Sequence, residues 1–294
     1  MEYSENLLGN VLKPSFEQKF DGFGVKLPVT TIKINSDGFR DKEYSIEKPN
    51  DTFRIVVLGD SITFGWGVNN DEIYTEILEE KLNSLNNGIN YEVLNFGVPG
   101  YNTENEVEMF KVKGTKYNPD MIIIGFNQGD EMNLIKIREE IEKNKAKNPY
   151  LNNKSDEDIF RNKLLQKQLI EVHEKAYKKI IESAVNQSTS SKLKTINEYL
   201  YELKKIKIDT KVIIVTFDAG EDIEIIKNAA NENNFYFIDM SEFLSNYKLG
   251  ELTLHKIDGH PSPFQHKLVG NNLFNYLTKN NLIPTNIITP SENH

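Results

Sequence analysis

Residues 54–65 read RIVVLGDSITFG, and the first half of that stretch decides the fold. Arg54–Leu58 is an apolar run in which Ile55, Val56 and Val57 are β-branched, and Gly59 closes it. A run without polar alternation is a strand buried on both faces, the habit of parallel sheets. Four similar runs follow: Tyr91–Phe96, Met121–Phe126, Lys211–Phe217 and Phe235–Asp239. Helix-period segments separate them. Tyr74, Ile77, Leu78, Leu82 and Leu85 form a stripe after Asp71, and Ile196, Leu200 and Leu203 form another. Thr103 with Glu106 reads as a capping box, and Ser262-Pro263-Phe264-Gln265 as a second, with proline at the first helical position. Strands alternating with helices predict an α/β chain: a three-layer α/β/α sandwich around a five-stranded parallel sheet. The expected strand order is the flavodoxin-like 2-1-3-4-5, with right-handed crossovers.

Two regions fall outside the alternation. Residues 1–50 read as an N-terminal extension, in which Thr30–Asn35 and Phe39–Tyr44 flank an Asp37-Gly38 turn and suggest a hairpin. Residues 51–294 then form the main domain, interrupted by a charged insertion at 134–187. The insertion predicts a helix from Ser155 to about Ala184, striped by Leu165, Leu169, Val172, Ala176 and Ile180, as a lid or an oligomer contact.

Composition narrows the function. The formal net charge is −9 over 294 residues, which excludes a nucleic-acid partner, since little here would displace phosphate counterions. Local lysine patches such as 175–179 alternate with glutamate and read as solvated helix faces. The absence of cysteine removes disulfides, thiolate chemistry and cysteine zinc sites. The opening MEYSENLLGNVLKPSF has neither a basic leader nor an apolar core. No window is long and apolar enough to span a bilayer. A soluble, cytoplasmic protein without membrane attachment is the expectation.

Ser61 lies just past the carboxyl end of the first strand, where open α/β sheets bind ligands. Its hydroxyl could act as a nucleophile and its amide as a donor to a developing oxyanion. A turn serine capping the next segment explains the same residue. The phosphate-loop alternative fails, because the pattern and its lysine are missing. Ile257-Asp258-Gly259-His260-Pro261 precedes the capped last helix. A serine hydroxyl needs an adjacent base, which His260 suits, and a carboxylate two residues earlier can fix its tautomer. An Asp-Gly turn followed by a surface histidine is the plain alternative, and His255 is the rival base. In Asn95-Phe96-Gly97-Val98-Pro99-Gly100-Tyr101-Asn102, Gly97 would let an amide approach a ligand, although a simple turn also explains Pro99-Gly100.

Taken together, these blocks resemble the GDSL/SGNH hydrolase superfamily. GDSIT is similar to its first block, NFGVPGYNT to its second, and DGHP with the following helix to its last. The resemblance runs from about Phe53 to Leu277, and NSDGFRDKEY before the first strand looks like the lead-in of some relatives. It implies Ser61 as nucleophile, His260 as general base and then acid, and Asp258 as its orienter. The implied oxyanion hole combines the amides of Ser61 and Gly97 with an asparagine side chain from a third block. That block departs from the family. Relatives carry G-x-N-D, whereas residues 125–130 read GFNQGD, so the asparagine position falls on Asn127 or Gly129 depending on where counting starts. Gln265 stands where relatives often have glycine, and the cap accounts for it. Without the asparagine donor the rate would fall by about 10²–10³. No cofactor and no metal is implied. The expected activity is hydrolysis of a small acyl ester, with O-acetyl groups on a carbohydrate among the candidates, through an acyl-serine. An O-acyltransferase using the same serine is one alternative, and a catalytically impaired glycan-binding module is another. Substrates are therefore small-molecule or glycan esters.

Overall fold

The computed structural model describes residues 2–3, 10–20, 29–127, 143–152, 154, 164, 168, 171–172, 175, 189–206, 209–217, 223–255 and 259–284. The chain forms two compact units, Met1–Asp130 with Ile196–His294, and Glu131–Thr195. In the second unit, residues 143–147 are helical and Leu151 is buried. Most of the helix expected from Ser155 to Ala184 lies outside the described residues.

Besides that segment, nine strands and eight α-helices are described. The strands are β1 (Glu2–Tyr3), β2 (Asn10–Val11), β3 (Phe16–Phe20), β4 (Thr30–Ile34), β5 (Thr52–Gly59), β6 (Asn90–Gly97), β7 (Met121–Phe126), β8 (Lys211–Thr216) and β9 (Tyr236–Asp239). The helices are α1 (Ser61–Phe64), α2 (Tyr74–Asn83), α3 (Thr103–Val112), α4 (Thr189–Ile206), α5 (Ile223–Asn233), α6 (Ser241–Leu244), α7 (Leu249–Leu252) and α8 (Pro263–Lys279). The main sheet runs β6-β5-β7-β8-β9, all parallel, which is the predicted 2-1-3-4-5 order. Odd-numbered residues Ile55, Val57, Ile123, Ile213 and Val215 pack with Tyr74, Leu78 and Leu82 of α2 and Val269, Leu273 and Leu277 of α8. Their even-numbered neighbours Val56, Leu58, Ile122, Ile124 and Ile214 are equally buried on the opposite face. Each such side chain contributes roughly 1.5–3 kcal/mol of transfer free energy, which explains why the strands lack polar alternation. Among the described residues no helix is long and apolar enough to cross a membrane.

At the carboxyl edge of the sheet, Gly59 stands in register with Gly97 on one side and Gly125 on the other. A Cβ at Gly59 would lie 2.1 Å from Thr63 Oγ1, at Gly97 2.3 Å from Phe64 N, and at Gly125 2.6 Å from Thr63 Oγ1. This row of missing side chains is what lets the short helix α1 settle onto the strand ends.

The N-terminal hairpin differs from the expected one. β4 pairs antiparallel with β3, Phe16 opposite Ile34 and Phe20 opposite Thr30, and not with residues 39–44. The Asp37-Gly38 turn does form: Asn35 Oδ1 accepts the Asp37 and Phe39 amides, and Gly38 has φ +84°. Beyond it the chain turns inward. Phe39 stacks on Phe96 with ring centroids 3.9 Å apart, and Arg40 and Asp41 are buried. Burial of those three side chains outweighs a ladder of backbone bonds at the surface.

Asp41 goes to the exposed edge of the main sheet. β6 is an edge strand, so the amides of every second residue have no neighbouring strand to receive them. Side chains serve instead. Asn83 Oδ1 accepts from Tyr91, Glu79 Oε2 from Val93, Asp41 Oδ2 from Asn95, and Asn95 Oδ1 from Gly97, at 2.8–2.9 Å.

Candidate active site

The chain leaves β5 at Gly59 and starts α1 immediately, with Asp60 as N-cap accepting the Ile62 amide on Oδ1 at 2.8 Å. Ser61 is thereby the first helical residue, held outside the end of a central strand. Thr63 Oγ1 meets the Tyr74 hydroxyl at 2.8 Å, and Asn95 Nδ2 donates to Thr63 O at 2.8 Å. The helix ends on Gly65 at φ +82°, whose amide donates to Ser61 O and Ile62 O. Below this turn lies Arg40, fully buried, which donates to the carbonyls of Phe64, Gly65 and Val68 and to Asn70 Oδ1. Burial pulls its guanidinium down to about 10, still protonated at neutral pH.

His260 arrives from the other end of the chain. Thr253 and Pro261 form an antiparallel bridge, Leu254 N donates to His260 O at 2.9 Å, and Ser262 N donates to Leu252 O at 2.7 Å. Ser262 then caps α8 by accepting the Gln265 amide at 3.3 Å, with Pro263 in the first turn. The result is a hydrogen bond of 2.8 Å between His260 Nε2 and Ser61 Oγ, across 199 residues of sequence. A hydroxyl bonded to an imidazole nitrogen is the starting geometry for proton removal during nucleophilic attack.

Asp258 lies outside the described residues, as does Gly129. Asn127 lies at the end of β7 and shares a cavity with Ser61 and His260, its amide 3.5 Å from Asp60 Oδ2. Gly97 does not match its expected role. Its amide is the last rung of the capped edge and is held by Asn95, so it is not aimed at a ligand. What the position requires is room for Phe64. Just downstream, Tyr101 N closes a turn onto Val98 O, and Gly100 adopts φ +82° within it. His255, the rival base, is not among the residues lining the cavity that holds His260. His266 is buried, stacks on Tyr74 and accepts the Tyr74 amide on Nδ1, and burial pushes it down to about 3, so it stays neutral.

The predicted box at the start of α3 is displaced by one residue. Asn102 is the N-cap and Asn105 its reciprocal partner. Glu106 therefore turns inward, fully buried, with neither oxygen hydrogen-bonded among the described residues. Burial, with the Asp60 charge nearby, raises its carboxyl well above the usual range. Asp60 is itself raised by burial, against the opposing effect of its Ile62 amide bond.

A cavity of about 570 Å³ opens beside Ser61 and His260. Its buried wall is apolar, with Ile62, Phe217, Leu244 and Leu252, and Ser241, Ser245, Thr253 and Gln265 supply polar groups beside Tyr247. Sequence reasoning missed Arg40 and Trp66. The signal for the first was a charged pair, Arg40-Asp41, beside an aromatic in the lead-in to a buried strand.

The sequence pattern of the GDSL-like lipase/acylhydrolase family matches residues 57–268. No curated protein sequence matches the chain. Among solved structures, the psychrotrophic esterase EstA from Pseudoalteromonas sp., inhibited by monoethylphosphonate, is similar at 9% identity and TM-score 0.50, covering 78% of this chain and 99% of that one. A two-domain esterase active on acetylated mannans, co-crystallised with mannopentaose, is similar at 14% identity and TM-score 0.50, covering 82% and 52%. The lipase/acylhydrolase from Enterococcus faecalis shows 14% identity and TM-score 0.49, covering 78% and 96%. At these identities the likeness is one of fold.

Proposed function

The chain belongs to the GDSL-like lipase/acylhydrolase family and is an ester hydrolase; from that premise we propose that Ser61 is its nucleophile and His260 its acid–base partner. The 2.8 Å bond between Ser61 Oγ and His260 Nε2 carries this reading. Ser61 Oγ attacks the ester carbonyl carbon while its proton passes to His260 Nε2. The tetrahedral intermediate collapses, the alcohol leaves with the proton from His260, and an acyl-serine remains. Water then attacks the acyl carbon, gives a proton to His260, and the released serine oxygen recovers it as the acid departs. Asp258, two residues before His260, is the proposed orienter of the ring. The Ser61 amide and the Asn127 side chain, both at the cavity, are the proposed oxyanion donors.

The cavity supports a small acyl group on a hydroxyl-rich alcohol, O-acetylated carbohydrate included. Ser241 Oγ donates to Asp239, Ser245 Oγ to Glu242 O, and Thr253 Oγ1 to Leu249 O. With their protons engaged, these hydroxyls present lone pairs, which suit a substrate carrying many O–H donors. The test pairs p-nitrophenyl acetate turnover and fluorophosphonate labelling in wild type and Ser61→Ala with acetate release from acetylated oligosaccharides. Labelling and turnover that both vanish in the variant support the hydrolase. Labelling with turnover that appears only when an acceptor alcohol is added assigns acyl transfer instead, and absence of both signals in wild type refutes catalysis.

A further inference from the structure

We propose that the N-terminal hairpin is part of the catalytic apparatus, Phe20 bracing Trp66 so that the indole holds the His260 imidazole against Ser61. The inference rests on the Ser61–His260 reading given above.

Trp66 is the sole tryptophan and follows Ser61 by five residues. Its ring centroid lies 5.7 Å from that of His260, at an interplanar angle of 33°. Phe20, at the end of β3 and 8% exposed, meets Trp66 in a T-shaped contact with centroids 4.8 Å apart. Three aromatic rings thus run from the hairpin to the base.

The turn that carries Trp66 is bound to both halves of the reactive pair. Trp66 N donates to Ser61 O at 3.0 Å. Next to it, Gly67 has φ +76°, and a Cβ there would lie 2.3 Å from Leu254 Cδ1. Leu254 is the residue whose amide holds the His260 carbonyl. Arg40 fixes the turn from below through the carbonyls of Gly65 and Val68, which flank Trp66. Residues 20 and 40 therefore act on His260 through Trp66 and are positioning residues.

The physical need is specific. An imidazole turns about two side-chain torsions, and proton transfer tolerates little error in its placement. A misplacement of about 1 Å can cost roughly 100-fold in rate. A ring set beside it at a tilt narrows the range of those torsions, and the aromatic quadrupole favours the imidazolium that forms as Ser61 attacks.

Phe20→Ala, Phe20→Leu, Trp66→Ala and Trp66→Phe test the proposal, with kcat and KM on p-nitrophenyl acetate and the melting temperature measured for each. Trp66→Ala and Phe20→Ala are expected to lower kcat about 10- to 100-fold with KM changed less than about twofold, Phe20→Leu less so, and Trp66→Phe to restore most of it. Folded Phe20→Ala or Phe20→Leu protein with wild-type kcat overturns the proposal, whatever the melting temperature. A second readout needs no hairpin variant. Protonated imidazole in contact with an indole quenches its fluorescence, and Trp66 is the only indole. Wild-type emission should fall as pH is lowered from neutral, and His260→Gln should abolish the change. Nearby Arg40 stays protonated there and His266, lowered to about 3, stays neutral; a His255→Gln variant controls for the other imidazole beside this loop. A flat titration in wild type, or one that survives in His260→Gln, overturns the contact. Should Ser61→Ala retain turnover, the nucleophile assignment fails instead, and the emission titration still reports on the ring contact separately.

Discussion

The two halves of the proposed reactive pair are held by different means. Ser61 is fixed locally: the end of a central strand at Gly59, an Asp60 cap and a Gly65 stop all lie within four residues of it. His260 is held remotely, by one bridge between Thr253 and Pro261, by the Leu254 amide and by the Trp66 ring. The difference shows which residue each mutation reaches. Damage to the sheet edge should move the nucleophile, whereas damage to the N-terminal segment should move the base.

The largest expected effect tests the pair itself. Ser61→Ala and His260→Gln should each depress kcat by about 10⁴-fold or more, with circular dichroism and melting temperature unchanged. Turnover retained in either would separate the two residues' roles. Next comes Asn127→Ala, expected to lower kcat by about 10²–10³ if the amide serves the oxyanion. An unchanged rate would mean that Asn127 only ends β7.

Gly97→Ala sharpens the nucleophile side. The new Cβ would meet backbone atoms of Thr63 and Phe64, which cannot swing away as a flexible side chain could. Urea denaturation should show a loss of about 1–3 kcal/mol, with lowered kcat because α1 is lifted from the sheet. Wild-type stability would overturn the packing role given to Gly97.

The smallest effect concerns Glu106. Its folded-state pKa is raised above the ordinary 4.5, so the folded protein holds the proton more tightly than the unfolded chain. Its stabilising protonation is complete below the unfolded value and is lost as pH rises toward the folded one. Glu106→Gln removes that dependence. The melting-temperature advantage of the variant should therefore grow as pH rises above the ordinary 4.5, by about 2–4 °C for each kcal/mol. A constant difference would show that Glu106 does not titrate on unfolding.

Much of this was legible in the residues. Strand burial shows in runs such as Ile122–Ile124, because a strand covered on both faces has no position left for a polar side chain. Ser61 and His260 could be proposed from sequence because each sits in a short motif beside a strand end or a helix cap. Gly97 was misread for a reason of topology. Whether an amide faces a ligand or a sheet edge depends on which strand lies outermost, and only pairing decides that. The hairpin was misread likewise: the Asp37-Gly38 turn exists, but the partner of β4 is upstream of it.

The chain's own order of residues determined the α/β alternation, the sheet order and the place of the serine, since these follow from local periodicity, turn chemistry and chirality. Tertiary structure alone decided that Asp41 and Glu79 finish an edge, that Glu106 faces inward, and that Phe20 and Trp66 reach His260. Such contacts join segments tens to hundreds of residues apart, and no pattern within either segment encodes the other's position.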